Sequence, residues 1–133
     1  MVYLVYGAPC SGKTTYVREH FHTGDIVCDV DRLYAALCFN EEHQSELYAL
    51  ETASKLQESL LDIIKNRKGN WKNAWVISLA NTSEKLAEAM RRVNADEAIP
   101  IETPIDVCME RAKDRPFYFR WIIEEWFYTG DLT

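Results

Sequence analysis

The sequence predicts an α/β fold of three layers, with a short parallel sheet of about four strands and helices on both faces. Two observations predict it. The runs "VYLVY", "DIVC", "AWVISL" and "EAIPI" are apolar along nearly their whole length, the pattern of parallel strands covered on both sides. The segments between them carry helical spacing, and strands alternating with helices imply right-handed crossover units. With 133 residues, the chain has enough length for one core. No linker, repeat or low-complexity tract interrupts it, so residues 1–133 are expected to form one domain.

In chain order, the first strand runs into a glycine-rich turn and then "TTYVREH". "DIVC" is followed by the helical "RLYAALCF". A long helix comes next, read from the stripe Leu47, Leu50, Ala53, Leu56, Leu60 and Ile64, and "KGN" breaks it. After the third strand, Asn81 and Glu84 suggest a helix start, with Leu86, Met90 and Val93 facing inward. Thr103 and Pro104 open a helix after the fourth strand, because proline suits a first turn that has no use for its missing N–H. Its inward residues are expected to be Ile105, Cys108, Met109 and Ala112. Pro116 opens a last helix rich in aromatics.

Bulk properties narrow the function. The chain is 47% apolar and 27% charged, a globular composition. A net charge of -6 argues against a general nucleic-acid binder but leaves room for a small basic site. Cys10, Cys28, Cys38 and Cys108 are far apart, with no CxxC or Cys/His spacing. That pattern disfavours disulfides and zinc and points to a reducing, cytoplasmic location. No apolar run approaches the ~20 residues that span a membrane, and the opening strand lacks the basic lead of a secretion signal.

The chemistry begins with Gly7, Ala8, Pro9, Cys10, Ser11, Gly12, Lys13 and Thr14, which fit GxxxxGK[ST] in full. A strand ends, the chain turns tightly and a helix begins, so backbone N–H groups point into one concavity. Such a nest at a positive helix end suits phosphate oxygens. Lys13 can reach the β- and γ-phosphates, the Thr14 hydroxyl can ligate Mg²⁺, and Thr15 extends the segment into the helix. ATP with Mg²⁺ is the expected ligand.

Asp29 and Asp31 fall at the carboxyl end of the second strand, the edge where open α/β sheets bind ligands. A carboxylate there can take the proton of an attacking hydroxyl. Asp31 is the candidate for that role and Asp29 for holding a Mg²⁺-bound water; the competing reading has Asp31 cap the next helix. Arg111 and Arg115, four apart, are expected to share a helix face. They suit either the charge of a transferring phosphate or surface pairing with nearby acids. "PFYFRWIIEEWFY" holds more aromatics than one buried stripe needs. The surplus fits a homodimer or protein-partner surface ahead of base stacking. Lys65, Arg67, Lys68 and Lys72 surround a turn with Trp71, read as a solvated loop remote from the phosphate site.

"GAPCSGKT" with "CDVDRLY" resembles the P-loop (Walker A) kinases of the polynucleotide-kinase type, AAA-family ATP-binding proteins also met in phage. "ETPIDVCMERAKDRP" is similar to that family's late strand, helix and arginine-bearing lid. The resemblance implies the P-loop kinase fold, with Asp31 as the carboxylate that activates the acceptor hydroxyl and Arg115 as the lid arginine. This sequence departs from the pattern at three places. Leu79 stands where an acid is usual, with Asn81 matching the family's asparagine. Tyr34 stands where a substrate-binding arginine is common, and Pro116 cuts the lid short.

The expected function is transfer of the γ-phosphoryl group of ATP to a hydroxyl. The acceptor implied is a polynucleotide 5′-hydroxyl, with a nucleoside or small molecule as the alternative. Two rival functions are an NTPase acting on water and a nucleotide-dependent adaptor with little catalysis.

Overall fold

The computed structural model describes residues 1–39 and 47–132. Four parallel strands form one sheet in the order β2-β3-β1-β4: β1 (Val2–Gly7), β2 (Ile26–Cys28), β3 (Ala74–Ser78) and β4 (Glu97–Ile101). β1 sits between β3 and β4, with Leu4 in register with Val76 on one side and Ala98 on the other. All four expected strands are present. The helices are α1 (Lys13–His20), α2 (Val30–Leu37), α3 (Leu47–Lys65), α4 (Ser83–Val93), α5 (Ile105–Arg111) and α6 (Tyr118–Thr129). A 3₁₀ turn, Ala112–Asp114, separates α5 from α6.

Helices cover both faces of the sheet. On one, Val2, Leu4, Cys28, Ala74 and Val76 pack beneath Leu61 and Ile64 of α3 and Val93 of α4. On the other, Val5 and Trp75 pack under Val17 of α1, with Tyr3 stacked on Trp75 at 4.4 Å. The alternation follows from the strand period of two: neighbours on β1 point to opposite layers, and both layers are apolar. Asp25 ties the amino ends of β2 and β3 together. Its carboxylate accepts from His22 N, Asn73 N, Asn73 Nδ2 and Trp75 Nε1 at 3.1–3.2 Å.

Several expectations shift on this frame. The buried line of α3 runs through Ala49, Ala53, Leu61 and Ile64, while Leu47 and Leu56 face solvent. α2 and α3 meet through the small side chains Ala49 and Ala53, against which Tyr34 is fully buried. Tyr34 therefore belongs to the core and does not stand in for a substrate-binding arginine. The cap of α4 is Thr82, whose side chain accepts from Lys85 N; Asn81 has another role, described below. In α5, Pro104 is the cap residue rather than the first helical one, and Ile105 points outward while Cys108 is buried. The basic turn lies at the amino end of β3, as expected. There Arg67 donates to the carbonyls of Ile64, Val93 and Asn94. No helix among the described residues is long and apolar enough to cross a membrane.

Candidate active site

The loop from Gly7 to Thr14 lies where β1 leaves the sheet and α1 begins. Its turn is closed by Ser11 N donating to Ala8 O at 3.1 Å. Cys10 and Gly12 both take left-handed conformations, φ 64° and 101°, and such kinks turn successive amides toward one side of the chain. Gly7 is required for a different reason. A Cβ there would stand 2.7 Å from Ile101 O and 2.9 Å from Ser11 Oγ, so the loop packs this closely on β4 only without a side chain. Thr103 Oγ1, from the β4–α5 connection, donates to Ser11 O at 2.7 Å and holds the loop from that side.

Lys13 is 8% exposed. Its ammonium donates to Gly7 O at 3.0 Å and Ala8 O at 2.6 Å, folding the side chain against its own loop. Burial lowers its pKa to about 8, while the negative charge of Asp29 works against the fall. Ser11 Oγ is buried in the same loop with no hydrogen-bond partner. Thr14 is half-buried in the first turn of α1 and Thr15 is exposed.

The two acids sit at the carboxyl end of β2. Asp29, 8% exposed, is the cap of α2 and accepts from Asp31 N at 3.2 Å. The competing reading of Asp31 as the cap therefore fails: Asp29 supplies the cap, and Asp31 occupies the first helical turn. Of the two, Asp29 acts more strongly on Lys13.

The arginines reach the loop by different routes. α5 ends at Arg111, and the 3₁₀ turn places Arg115 in extended backbone beyond it, φ -106°. The single shared helix face expected for the pair does not form. Arg111 Nη1 still donates to Cys10 O at 3.2 Å. Arg115 lies over the Phe119 ring at 5.3 Å. Burial pushes the Cys10 thiol up, with Arg115, Lys13 and Arg111 pulling the other way. Three cations from three segments thus converge electrostatically on one loop residue, and Cys10 itself is held as the neutral thiol.

α6 is the part of this region that sequence reasoning missed. Phe119, Ile123, Trp126 and Phe127 pack with Ala8 and Cys10 of the loop and with Cys108 and Ala112. A latch holds the far end of α6. Trp126 Nε1 donates to Leu79 O at 2.8 Å, and buried Asn81 donates through Nδ2 to Trp126 O and Thr129 Oγ1, both at 2.9 Å. Asp131 completes it by accepting from Ser83 N at 2.8 Å. Phe117, Trp121 and Tyr128 face outward. One sequence signal was available: an asparagine directly after a strand is as well suited to clasping a distant carbonyl as to capping the next helix.

The loop fits a bound nucleotide. A buried hydroxyl without a partner, that of Ser11, lies within the loop. No group of three His, Cys, Asp or Glu among the described residues could hold a metal ion by itself. The Thr14 hydroxyl and the Asp29 carboxylate are oxygen donors, the type that Mg²⁺ takes alongside waters and phosphate oxygens.

No curated protein sequence matches this chain. Among solved structures, a chain of the Pnkp1/Rnl/Hen1 RNA repair complex superposes with a TM-score of 0.63 at 16% identity, over 98% of this chain and 46% of that one. This chain thus spans less than half the length of that neighbour, and at this identity the likeness is one of fold. The family model of the AAA domain matches residues 2–120. A glycine loop between β1 and α1, with acids following β2 and arginines at the end of α5 and after the 3₁₀ turn, on a parallel sheet, is thereby accounted for: the chain belongs to this AAA domain family, whose members are P-loop kinase-like.

Proposed function

We propose that the chain is an ATP- and Mg²⁺-dependent phosphotransferase that moves the γ-phosphoryl group to a hydroxyl. The observation that carries this reading is the gathering of Lys13, Arg111 and Arg115 around one turn of left-handed loop backbone, with two acids toward the other side. Phosphoryl transfer asks a protein mainly for positioning and for charge stabilisation. The loop amides hold the phosphates, and Lys13 leaves the carbonyls of Gly7 and Ala8 to reach the β- and γ-oxygens. Arg115, with Arg111 beside it, faces the charge that spreads over the equatorial oxygens. Asp31 takes the proton of the acceptor hydroxyl, and Asp29 orients Asp31 through its backbone N–H. Thr14, with Asp29 through water, would hold Mg²⁺, which neutralises phosphate charge when bound.

The acceptor we favour is a polynucleotide 5′-hydroxyl, the class implied by the sequence resemblance to polynucleotide-kinase-type proteins and in keeping with a structural neighbour from an RNA repair complex. A nucleoside or other small hydroxyl compound is the alternative, favoured by the acidic net charge. The test is γ-labelled ATP and Mg²⁺ with 5′-hydroxyl oligonucleotides, nucleosides and polyols. Label on one acceptor class, lost in Lys13→Ala, is the expected result. Asp31→Asn should lower the transfer rate by roughly 10²–10⁴-fold and leave ATP affinity unchanged. If ATP binds and no acceptor is labelled, the kinase reading falls. The adaptor reading then takes over, with the exposed face of α6 (Phe117, Trp121, Tyr128) as its homodimer or partner surface.

A further inference from the structure

The outer side of α6 carries Phe117, 85% exposed, Trp121, 68% exposed, and Tyr128, 91% exposed. With Glu124 they recur at spacings of four, three and four residues, which sets all four on one helix face. That face points away from the loop, since Phe119, Ile123, Trp126 and Phe127 take the opposite side. Arg120 and Glu125 flank it, both exposed. Among the described residues, no ion pair engages Arg120, Glu124 or Glu125. A row of large rings in water marks a surface that meets a partner.

The order of residues along α6 indicates which partner this is. Read outward from Ile122 and Ile123, each half of the helix reaches charge within two positions and then ends in aromatics. The charges are opposite in sign: Arg120 in the first half, Glu124 and Glu125 in the second. A twofold dimer asks for one patch that complements itself. Antiparallel pairing centred on Ile122 and Ile123 sets Phe117 against Tyr128 of a second copy. It also brings Arg120 to Glu124 of that copy, on the same side of the seam and twice by symmetry. Parallel pairing would instead set Glu124 against its own counterpart, two like charges in an apolar seam. Burying the three rings on each copy removes about 700–1,200 Å² from water in all, the lower part of the range for specific interfaces.

We propose that the outer face of α6 is an isologous dimer interface, pairing antiparallel with α6 of a second copy of this chain. Trp121 lies near its centre, and an Arg120–Glu124 ion pair between the copies closes the seam twice. Each α6 then lies between its own phosphate-binding loop and the second copy, so the dimer leaves both loops outside the interface. The inference does not rest on the phosphotransferase reading, because the loop and the dimer face use opposite sides of α6.

The experiment is sedimentation equilibrium of the full chain over a range of concentrations. Wild type is compared with Trp121→Glu, Arg120→Glu, Glu124→Gln and the charge swap Arg120→Glu/Glu124→Arg. All change exposed side chains, and thermal melting checks that each variant is folded. Wild type should dimerise with a Kd of roughly 1–100 µM. Trp121→Glu should weaken the dimer roughly hundredfold and Arg120→Glu roughly tenfold. The swap should recover most of the loss seen in Arg120→Glu, and Glu124→Gln should weaken the dimer to a smaller degree. A wild type still monomeric at about 500 µM overturns the proposal and leaves the face to a different partner. A dimer indifferent to folded Trp121→Glu forms through another surface, which overturns it as well. A swap that recovers nothing, or a Glu124→Gln dimer tighter than wild type, refutes the antiparallel pairing. Should Trp121→Glu not fold, the charge variants decide alone.

Discussion

Binding of a triphosphate should draw a proton onto Lys13, and the size of that uptake follows from the loop. Buried to 8% exposure, the amine has its pKa lowered from 10.5 to about 8 by burial, against the opposing charge of Asp29. In the unliganded chain it is therefore about half neutral at pH 8 and about nine-tenths neutral at pH 9. Phosphate oxygens beside Nζ favour the charged form and bring the group back to its ordinary range. The free state then holds fewer protons than the complex, so binding takes protons up: about 0.1 at pH 7, about 0.5 at pH 8 and about 0.9 at pH 9. By the same linkage, affinity weakens about tenfold between pH 7 and 9. Bound Mg²⁺ keeps the ligand's own phosphates ionised across this window. Titrating Mg²⁺-tripolyphosphate in buffers of different ionisation heat counts the protons directly. Lys13→Arg, which stays charged throughout, should show no uptake. A wild-type uptake below about 0.1 proton at pH 9, with a Kd constant from pH 7, would refute the reasoning.

The other predictions concern the frame that holds this loop. Asp25→Asn should cost about 2–4 kcal/mol at pH 7: both carboxylate oxygens accept from N–H groups, so the amide meets two donors whichever way it flips. Burial pushes the Asp25 carboxyl up, but the hydrogen bonds from Trp75, His22 and Asn73 outweigh it and hold the pKa below its ordinary value. Its contribution is therefore complete above the ordinary carboxylate range and lost as pH falls through the folded value. Urea unfolding of wild type and variant should converge on acidification below about pH 4. Gly12→Ala puts a Cβ at φ 101°, 3.4 Å from Arg111 Nη1. It should cost about 1–2 kcal/mol of stability and weaken tripolyphosphate binding at least tenfold by calorimetry. Asn81→Ala removes two hydrogen bonds to α6 and should lower stability by about 2 kcal/mol, read as a drop in Tm of roughly 5–10 °C.

The fold was legible because its signals are local. Four apolar runs named four strands, and the parallel order followed from the helices between them. What misled was amphipathic spacing read without its partner. The stripe through Leu47 and Leu56 is regular, yet α3 buries the small Ala49 and Ala53 instead, because α2 brings the bulky Tyr34 against that face. At the site, the loop was legible from its order of residue types, since glycines at those two places answer a steric demand. The arginine geometry was not. Arg111 and Arg115 are four apart, but the helix ends between them, and a change from α to 3₁₀ winding leaves no clear mark in "ERAKDRP". Asn81 was misassigned for a similar reason: a cap and a long-range clasp use the same side-chain chemistry, and only the position of α6 tells them apart.

That clasp joins the two flanks of the loop. The acids arrive from β2 and α2; the arginines arrive from α5 and the turn after it. α6 packs its inner face on Ala8, Cys10, Cys108 and Ala112, binding the arginine-bearing segment to the loop. Its far end is bonded to Leu79 and Asn81, directly after β3. β3 lies between β1 and β2 in the sheet, so the clasp refers the arginines to the strand that also positions the acids. Residue 79, where the resemblance leads one to expect a carboxylate, contributes a backbone carbonyl to this clasp instead. A side chain there is free to vary as long as its backbone holds Trp126, which is why an exposed leucine can occupy that place beside the site.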